Sequence, residues 1–519
     1  MHYLCSMKHL PKISLLTFSC IVSLGTLLLY NIPFFRYVAD NSNESLGGKI
    51  FLQASLVVVM LALNFMMTYL VMWLLRVVGR ILLAILAIIN ATAVYFIYTY
   101  SVMIDATTIE NVFNTRYSEA SGFFSWGLWL FILGAGVLPA VWCLLQPVVI
   151  GKAKKLGIYC GGALAVALVV AAMNFSQMLF VSEHDTELGG LLQPWSYIVN
   201  TCRIASFQHD EQVEEILLPD GKITDHEKAV VVLVIGESAR KANFQLYGYK
   251  RDTNPLLMKQ DGLKVYEATS CATYTTAGTK AILEPMDSGD LYELLPNYAF
   301  RTGVDVSWRT SNWGEPPIHV DEYLTDPQLG KLYGESNAYD NVLITGLRDR
   351  ITSSKKDKVL IILHTSTSHG PKYVEKYPKE FEVYKPVANS VEEGEKNPGS
   401  LVNAYDNTIR YTDFLLDSLI NILRPMTDWK RAMIFISDHG ESLGENKVFM
   451  HGLPMRLAPK VQYEIPFLVW TSDGFRRYKP ASELPPVLEQ HYIFHSVLNL
   501  LSIQSPAYNK DFDIFESSF

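Results

Sequence analysis

The chain has 519 residues, 49% hydrophobic and 12% aromatic, with a formal net charge of -8 and a positive mean hydropathy. This balance is too apolar for an ordinary soluble enzyme and too charged for a bare membrane bundle, so the length divides into a membrane part and one large domain. The acidic balance, without a basic stripe interleaved with aromatics, excludes a nucleic-acid binder.

Five apolar runs reach the roughly twenty residues that a spanning helix needs: residues 13–35, 50–75, 81–104, 123–150 and 156–180. Four more spans follow the first, so it reads as a retained anchor and not as a signal peptide. Lys8, His9 and Lys12 precede the first run, Arg76 and Arg80 fill the second connection, and Lys152, Lys154 and Lys155 crowd the fourth. The positive-inside bias makes these segments cytoplasmic. An odd number of spans then puts everything after residue 180 outside, which in a bacterium is the periplasm. A transferase there has no ATP and draws its donor from the membrane.

The loop between spans three and four lies on the same outer side. Its Asn111, Thr115 and Glu119 are spaced four and four, which places them on one helix face. Alone, that face reads as a solvated amphipathic turn. Residues 181–228 form a connector: His184 to Gly190 is loop-like, Gln193-Pro194-Trp195-Ser196-Tyr197 suits a headgroup interface, and Pro219-Asp220-Gly221 signals a turn. The expected organisation is a transmembrane domain at 1–180, a connector at 181–228 and an outer catalytic domain at 229–519.

The outer domain opens with residues 229–235, an almost pure β-branched run whose continuity argues for burial on both faces. It ends in Gly236-Glu237-Ser238-Ala239-Arg240. Residues 305–309 lead to Asn312, and residues 358–363 lead to His364 and then Ser368-His369-Gly370-Pro371. Residues 432–436 lead into Ser437-Asp438-His439-Gly440-Glu441-Ser442, with His451 soon after. A helical pattern covers 404–423, with Ile409, Phe414, Leu415, Leu419 and Ile422 on its apolar face. Alternating strands and helices predict a mostly parallel sheet covered by helices. Such sheets bind ligands at the carboxyl ends of their strands, where Glu237, His364, Asp438 and His439 fall. A lone histidine after a strand is usually structural; several histidines with two carboxylates suit a divalent metal.

The hydroxyl-rich stretch from Thr269 to Thr279 predicts a helix start. A threonine there is either an N-cap or a nucleophile activated by a metal, and local rules leave Thr273, Thr275 and Thr276 open. Of the six cysteines, only Cys202 and Cys271 lie beyond the apolar third. No CxxC pair offers a zinc site, and spacing leaves open whether these two cysteines pair.

At this point the motifs resemble one family closely. Gly236-Glu237-Ser238-Ala239-Arg240, Asn243-Phe244, Gly248-Tyr249-x-Arg251-Asp252-Thr253-Asn254-Pro255, Ser368-His369-Gly370-Pro371, Tyr405-Asp406-Asn407-Thr408 and Asp438-His439-Gly440-Glu441-Ser442-Leu443-Gly444-Glu445-Asn446 resemble the phosphoethanolamine transferases that modify lipid A, the colistin-resistance transferases among them. The resemblance implies a five-helix N-terminal membrane domain, a periplasmic α/β domain of the sulfatase/alkaline-phosphatase fold, and a multi-pass place in the bacterial inner membrane. It implies transfer of phosphoethanolamine from phosphatidylethanolamine to lipid A or a related envelope acceptor through a phosphothreonine-type intermediate. The family's zinc ligands correspond to Glu237, Thr275, Asp438 and His439. Thr275 is matched by its place four residues after Cys271. His369 and His451 match histidines that hold the phosphate or a second zinc, His364 matches another site histidine, and Asn312 matches an asparagine near the headgroup. Asn111, Thr115 and Glu119 match the face implicated in donor binding, which reverses their bland reading.

Two departures stand out. Ala281 occupies the place of a cysteine that in many members closes a disulfide around the nucleophile. The lysine expected after Asn312 is missing, with Pro316 near its place. Two alternatives remain: a phosphoglycerol transferase of the same fold using phosphatidylglycerol, and a catalytically dead membrane-anchored binding protein.

Overall fold

The computed structural model describes residues 10–42, 45–114, 120–173, 180–181, 184–210, 215–286 and 289–519. The chain divides into two compact units, Met1–Thr115 with Phe123–His209, and Arg116–Gly122 with Asp210–Phe519.

The first unit is helical. Among the described residues, four helices are long and apolar enough to cross a membrane: α3 (Leu46–Leu75), α4 (Val77–Tyr100), α6 (Trp126–Leu145) and α7 (Ala153–Met173). The first apolar run is instead a bent pair, α1 (Leu15–Tyr30) and α2 (Ile32–Asn41), meeting at 56°. Pro33 in the first turn of α2 has no N–H to continue the ladder from α1, which accounts for the break. Counting the pair as one span gives five candidates. Between α4 and α6 lies α5 (Ala106–Asn114). A π-helical stretch, Ile132–Val137, interrupts α6, and there the Tyr30 hydroxyl donates to the Ala135 carbonyl at 2.5 Å.

Part of the stretch read as a connector is helical: α8 (Asp185–Leu191) and α9 (Trp195–Asp210) belong to this unit. Trp195 and Tyr197 do not simply face headgroups. The indole N–H of Trp195 donates to Asn64 Oδ1 at 2.9 Å, and the Tyr197 hydroxyl donates to Asn90 Oδ1 at 3.0 Å. Asn31, at the bend, donates to the Gln193 carbonyl at 3.0 Å and accepts its N–H at 2.9 Å.

The second unit is an α/β layer structure. The strands of its main sheet are β1 (Ala229–Gly236), β2 (Leu263–Thr269), β3 (Asp305–Thr310), β4 (Glu322–Thr325), β5 (Lys358–His364), β6 (Lys430–Ser437), β7 (Glu464–Thr471) and β8 (Leu488–Glu489). Among the described residues they form one sheet in the order β8-β2-β7-β6-β1-β5-β3-β4. The run β6-β1-β5-β3-β4 is parallel, and β7 is antiparallel to both its neighbours. Every residue of β1 and β5 is buried, as their unbroken apolar runs demand.

Three helices matter for the site: α10 (Thr275–Leu283), α11 (Pro398–Leu423) and α12 (Tyr492–Leu500). The helix expected at 404–423 starts earlier, at Pro398. Its buried face carries Tyr405, Asp406, Asn407, Thr408 and Asp413 beside Ile409, Leu415 and Leu419, so apolar spacing alone misses its first turns. The nucleophile candidates separate here. Tyr274 is the cap residue of α10 and Thr275 its first helical position, so no threonine caps this helix, while Thr273 donates to the Leu453 carbonyl at 2.6 Å.

Helix α10 reaches the end of β6 through Gly278. A Cβ there would stand 2.3 Å from the Asp438 carbonyl oxygen, and that neighbour is backbone. We expect Gly278→Ala to destabilise the fold by about 1–3 kcal/mol, read as a lower denaturant midpoint. Gly399→Ala serves as the comparison: only Asn397 Oδ1 lies near, at 3.6 Å, and its midpoint should hold or rise.

Candidate active site

Sheet register builds the site. Gly236 pairs with Ser437 across β1 and β6, Ile235 with His364 across β1 and β5, and Thr310 with His364 across β3 and β5. The residues just past these positions, Glu237, Asn312, Asp438 and His439, therefore converge on one edge. All four are buried, as are Thr275 and His364.

Thr275 completes the cluster from the first turn of α10. Its hydroxyl donates to Glu237 Oε2 at 3.2 Å and lies 3.3 Å from His439 Nε2. His439 Nε2 is 3.3 Å from Glu237 Oε1 and 3.4 Å from Asp438 Oδ2. Glu237, Asp438 and His439 each offer one ligand atom within 4.8 Å of the others, and so do Glu237, His369 and His451. The His451 ring lies 4.2 Å from that of His439 and 5.4 Å from that of His369.

Charge explains why this cluster suits a cation. Burial disfavours the ionised form of His439, yet Asp438 and Glu237 outweigh it and lift its pKa to about 10. Burial also opposes ionisation of Glu237, but its bond to His439 holds it well below the usual carboxylate range. Asp438 is left with the excess negative charge: burial first, then repulsion from Glu237, pushes it up to about 7. Two buried carboxylates against one imidazolium leave a deficit that a divalent cation would make good. One oxygen points the same way. Asp438 Oδ1 accepts from the N–H groups of Ser238 and His439 at 3.0 and 2.7 Å, whereas the buried Oδ2 accepts no hydrogen bond among the described residues. The His439 Nδ1 side faces the Gly440 carbonyl at 2.8 Å, which directs Nε2 to the cluster, the arrangement ligating histidines adopt.

Around these stand the orienting groups. Asn312 Nδ2 donates to Glu237 Oε2 at 2.6 Å and lies 3.1 Å from His364 Nε2. His364 Nδ1 is 2.9 Å from Glu315 Oε1. Burial works against ionisation of both partners, but the pair bond raises the His364 pKa and lowers that of Glu315. His364 thus supports Asn312. Of the donor-loop residues, Thr115 and Glu119 lie outside the described residues, and only the backbone of Asn111, in α5, is described.

Three contributors escaped the sequence reading. Glu315 was seen only as part of a departing loop, though an acid beside Gly314, whose φ is +81°, marked a tight turn past Asn312. Glu441 is fully buried and lies 3.2 Å from His451 Nδ1; its signal was its place in the Asp-His-Gly-Glu run. Ser238 has a φ of 53°, which no local sequence rule announces for serine.

No disulfide joins the described cysteines, Cys202 and Cys271 included.

Known proteins resemble this chain along nearly its whole length. The family profile described as Sulfatase matches residues 229–503, and that described as Phosphoethanolamine transferase EptA/EptB matches residues 59–209. Phosphoethanolamine transferase EptA of Helicobacter pylori is 36% identical over 512 residues, covering 96% of this chain and 96% of that protein. Its counterpart from Salmonella typhimurium is 30% identical, over 84% of this chain and 85% of that protein. The structure of the integral membrane lipooligosaccharide phosphoethanolamine transferase A (EptA) from Neisseria meningitidis matches with a TM-score of 0.86 and 26% identity, covering 97% of this chain and 99% of that one.

If the cluster holds a divalent cation, metal should stabilise the full-length protein after chelation. At a free-metal concentration a hundredfold above Kd the gain is about 2.7 kcal/mol, read as a rise in Tm. Asp438→Asn should fold and lose most of that rise.

Proposed function

The chain belongs to the phosphoethanolamine transferase family, with its sulfatase-type domain, and we propose from this that it transfers phosphoethanolamine from phosphatidylethanolamine to lipid A, or to a related envelope acceptor, by way of a covalent adduct on Thr275. The observation that carries the mechanism is the Thr275 hydroxyl, 3.2 Å from a Glu237 oxygen and 3.3 Å from His439 Nε2. The relatives described above bear the phosphoethanolamine name, and nothing favours the phosphoglycerol alternative. A catalytically dead binding protein has no use for a buried hydroxyl held among so many titratable groups.

The membrane part is read as five spans, counting the α1–α2 pair as one. The Lys/Arg bias then puts the N-terminus in the cytoplasm and the catalytic unit in the periplasm, on the outer face of the inner membrane.

Glu237, Asp438 and His439, with Thr275, are the residues that would hold zinc. When bound there, zinc lowers the pKa of a coordinated hydroxyl and screens phosphoryl charge. The chain's own residues supply the rest. The Thr275 oxygen attacks the phosphorus of the donor, its proton passing to the carboxylate it already faces. The bond from phosphorus to the diacylglycerol oxygen breaks, and that oxygen takes up a proton as diacylglycerol leaves. His369 and His451 stabilise charge on the phosphoryl oxygens, and the first turn of α10 adds a field that favours anions. A lipid A phosphate oxygen then attacks the phosphorus of the adduct and restores the threonine. Asn312 holds Glu237, with His364 behind it. Asn111, Thr115 and Glu119 recognise the ethanolamine headgroup, Glu119 being the acid suited to its ammonium.

Two tests follow from these assignments. Thr275→Ala should abolish both diacylglycerol release and the mass shift of lipid A in cells carrying the gene, while Thr275→Ser keeps a part of each. Peptide mass mapping after incubation with donor alone should find the adduct on Thr275; an adduct on Thr273 or Thr276 would reassign the nucleophile. Glu119→Gln should impair transfer from membrane donor and leave the protein's zinc affinity unchanged. Full transfer by that variant would remove Glu119 from donor recognition.

A further inference from the structure

Ser238 stands between the two buried acids and is itself fully buried. Its hydroxyl donates to Glu237 Oε1 at 2.6 Å, and its N–H donates to Asp438 Oδ1 at 3.0 Å. One residue thus aims both carboxylates. It does so from a φ of 53°, a left-handed backbone that a serine does not adopt without support.

The support comes from α11. The Tyr405 hydroxyl donates to the Ser238 carbonyl at 2.6 Å and accepts the Arg240 N–H at 2.9 Å. A single oxygen therefore closes both ends of the turn at 238–240. Tyr405 is fully buried. Its ring meets that of Tyr373 edge to face at 5.3 Å, and the Arg240 guanidinium lies 5.5 Å from its centroid. The next residue of α11 fastens the segment that follows. Asp406 accepts from Asn243 Nδ2 at 2.5 Å, from the Tyr249 hydroxyl at 2.9 Å and from Arg251 at 2.8 Å. Ser238 and the motif residues Arg240, Asn243, Tyr249 and Arg251 are thereby tied to one turn of one helix.

We propose that Tyr405 is a positioning residue of the metal-binding cluster: its hydroxyl holds Ser238 in the left-handed conformation that presents Glu237 and Asp438 to the cation. The proposal rests on the reading of those two acids as metal ligands. It assigns Tyr405 no contact with substrate. Its effect is on the affinity of the site and only through that on turnover, so loss of the hydroxyl should be repaired in part by excess metal.

The experiment measures zinc Kd by chelator competition on the full-length protein in detergent, beside Tm, for Tyr405→Phe, Ser238→Gly, their double variant and Tyr247→Phe. Phenylalanine keeps the ring packing and removes both bonds. Tyr247 is the control because its hydroxyl likewise bridges backbone groups, donating to the Tyr266 carbonyl at 2.7 Å, lying 3.3 Å from the Phe467 carbonyl and accepting the Phe467 N–H at 2.8 Å. Tyr405→Phe should weaken zinc binding roughly 10–100-fold, as loss of a ligand-orienting partner does, with a Tm change matching that of Tyr247→Phe. In the Ser238→Gly background the same change should cost less than about threefold, because glycine takes the left-handed backbone unaided. Unchanged Kd in Tyr405→Phe, an equal loss in Tyr247→Phe, an additive double variant, or unfolding of Tyr405→Phe alone would each overturn the proposal. Absence of zinc binding by the unmodified chain would overturn the metal reading as well, so the two failures are distinct.

Discussion

Two buried carboxylates held side by side organise the catalytic unit. Glu237 and Asp438 follow adjacent parallel strands whose last residues are in register, so the backbone itself forces them together. Away from water their repulsion is strong, and His439 between them offsets part of it. Much of what surrounds them manages that charge. Asn312 and Ser238 each hold an oxygen of Glu237 at 2.6 Å, two N–H groups occupy one oxygen of Asp438, and Asp438 Oδ2 accepts no hydrogen bond among the described residues. The same unbalanced field makes the place fit for a phosphoryl group once a cation is there: charge stored in the fold becomes charge that orients a reaction.

The strand ends were legible because a strand buried on both faces leaves no polar residue to confuse its pattern. The run from Ala229 to Ile235 stops where a carboxylate begins, and β1 stops there too. The choice of Thr275 was less so. Three threonines share one short stretch, and only resemblance picked the one that begins α10 beside Glu237. Other features lay beyond sequence reasoning for physical reasons. Helix α11 buries a mixed face, since its inner polar groups bond to the loop after Glu237, so hydrophobic spacing misses its first turns. Trp195 and Tyr197 look like interface anchors, yet their polar tips bond to Asn64 and Asn90 of the helices. Such pairings are long-range and leave no local trace. The bend between α1 and α2 was written in Pro33, but an apolar run hides a break in direction.

Precision at the site comes from contacts between elements and not from the sheet alone. Gly278 brings α10 onto the Asp438 carbonyl. Gly440 does the equivalent on the other side: a Cβ there would stand 2.0 Å from the Val461 carbonyl oxygen, and its N–H donates to the Gln462 carbonyl at 2.8 Å. Thr275, Asp438 and His439 are thus set between backbones in close approach. Under the proposed mechanism, a hydroxyl placed that way would need little reorganisation before it reacts.

Ala281 is buried in α10, and no disulfide among the described cysteines closes the loop before that helix. The segment that bears Thr275 is held by the Cys271 N–H on Gln490 at 3.0 Å, the Thr273 hydroxyl on Leu453 at 2.6 Å and the Gly452 N–H on the Thr273 carbonyl at 2.8 Å. None of these needs an oxidant. A disulfide-closed loop reaches its working shape only after thiol oxidation, and it can be reopened by exchange. Here the described ties are hydrogen bonds, and a reductant would leave them in place.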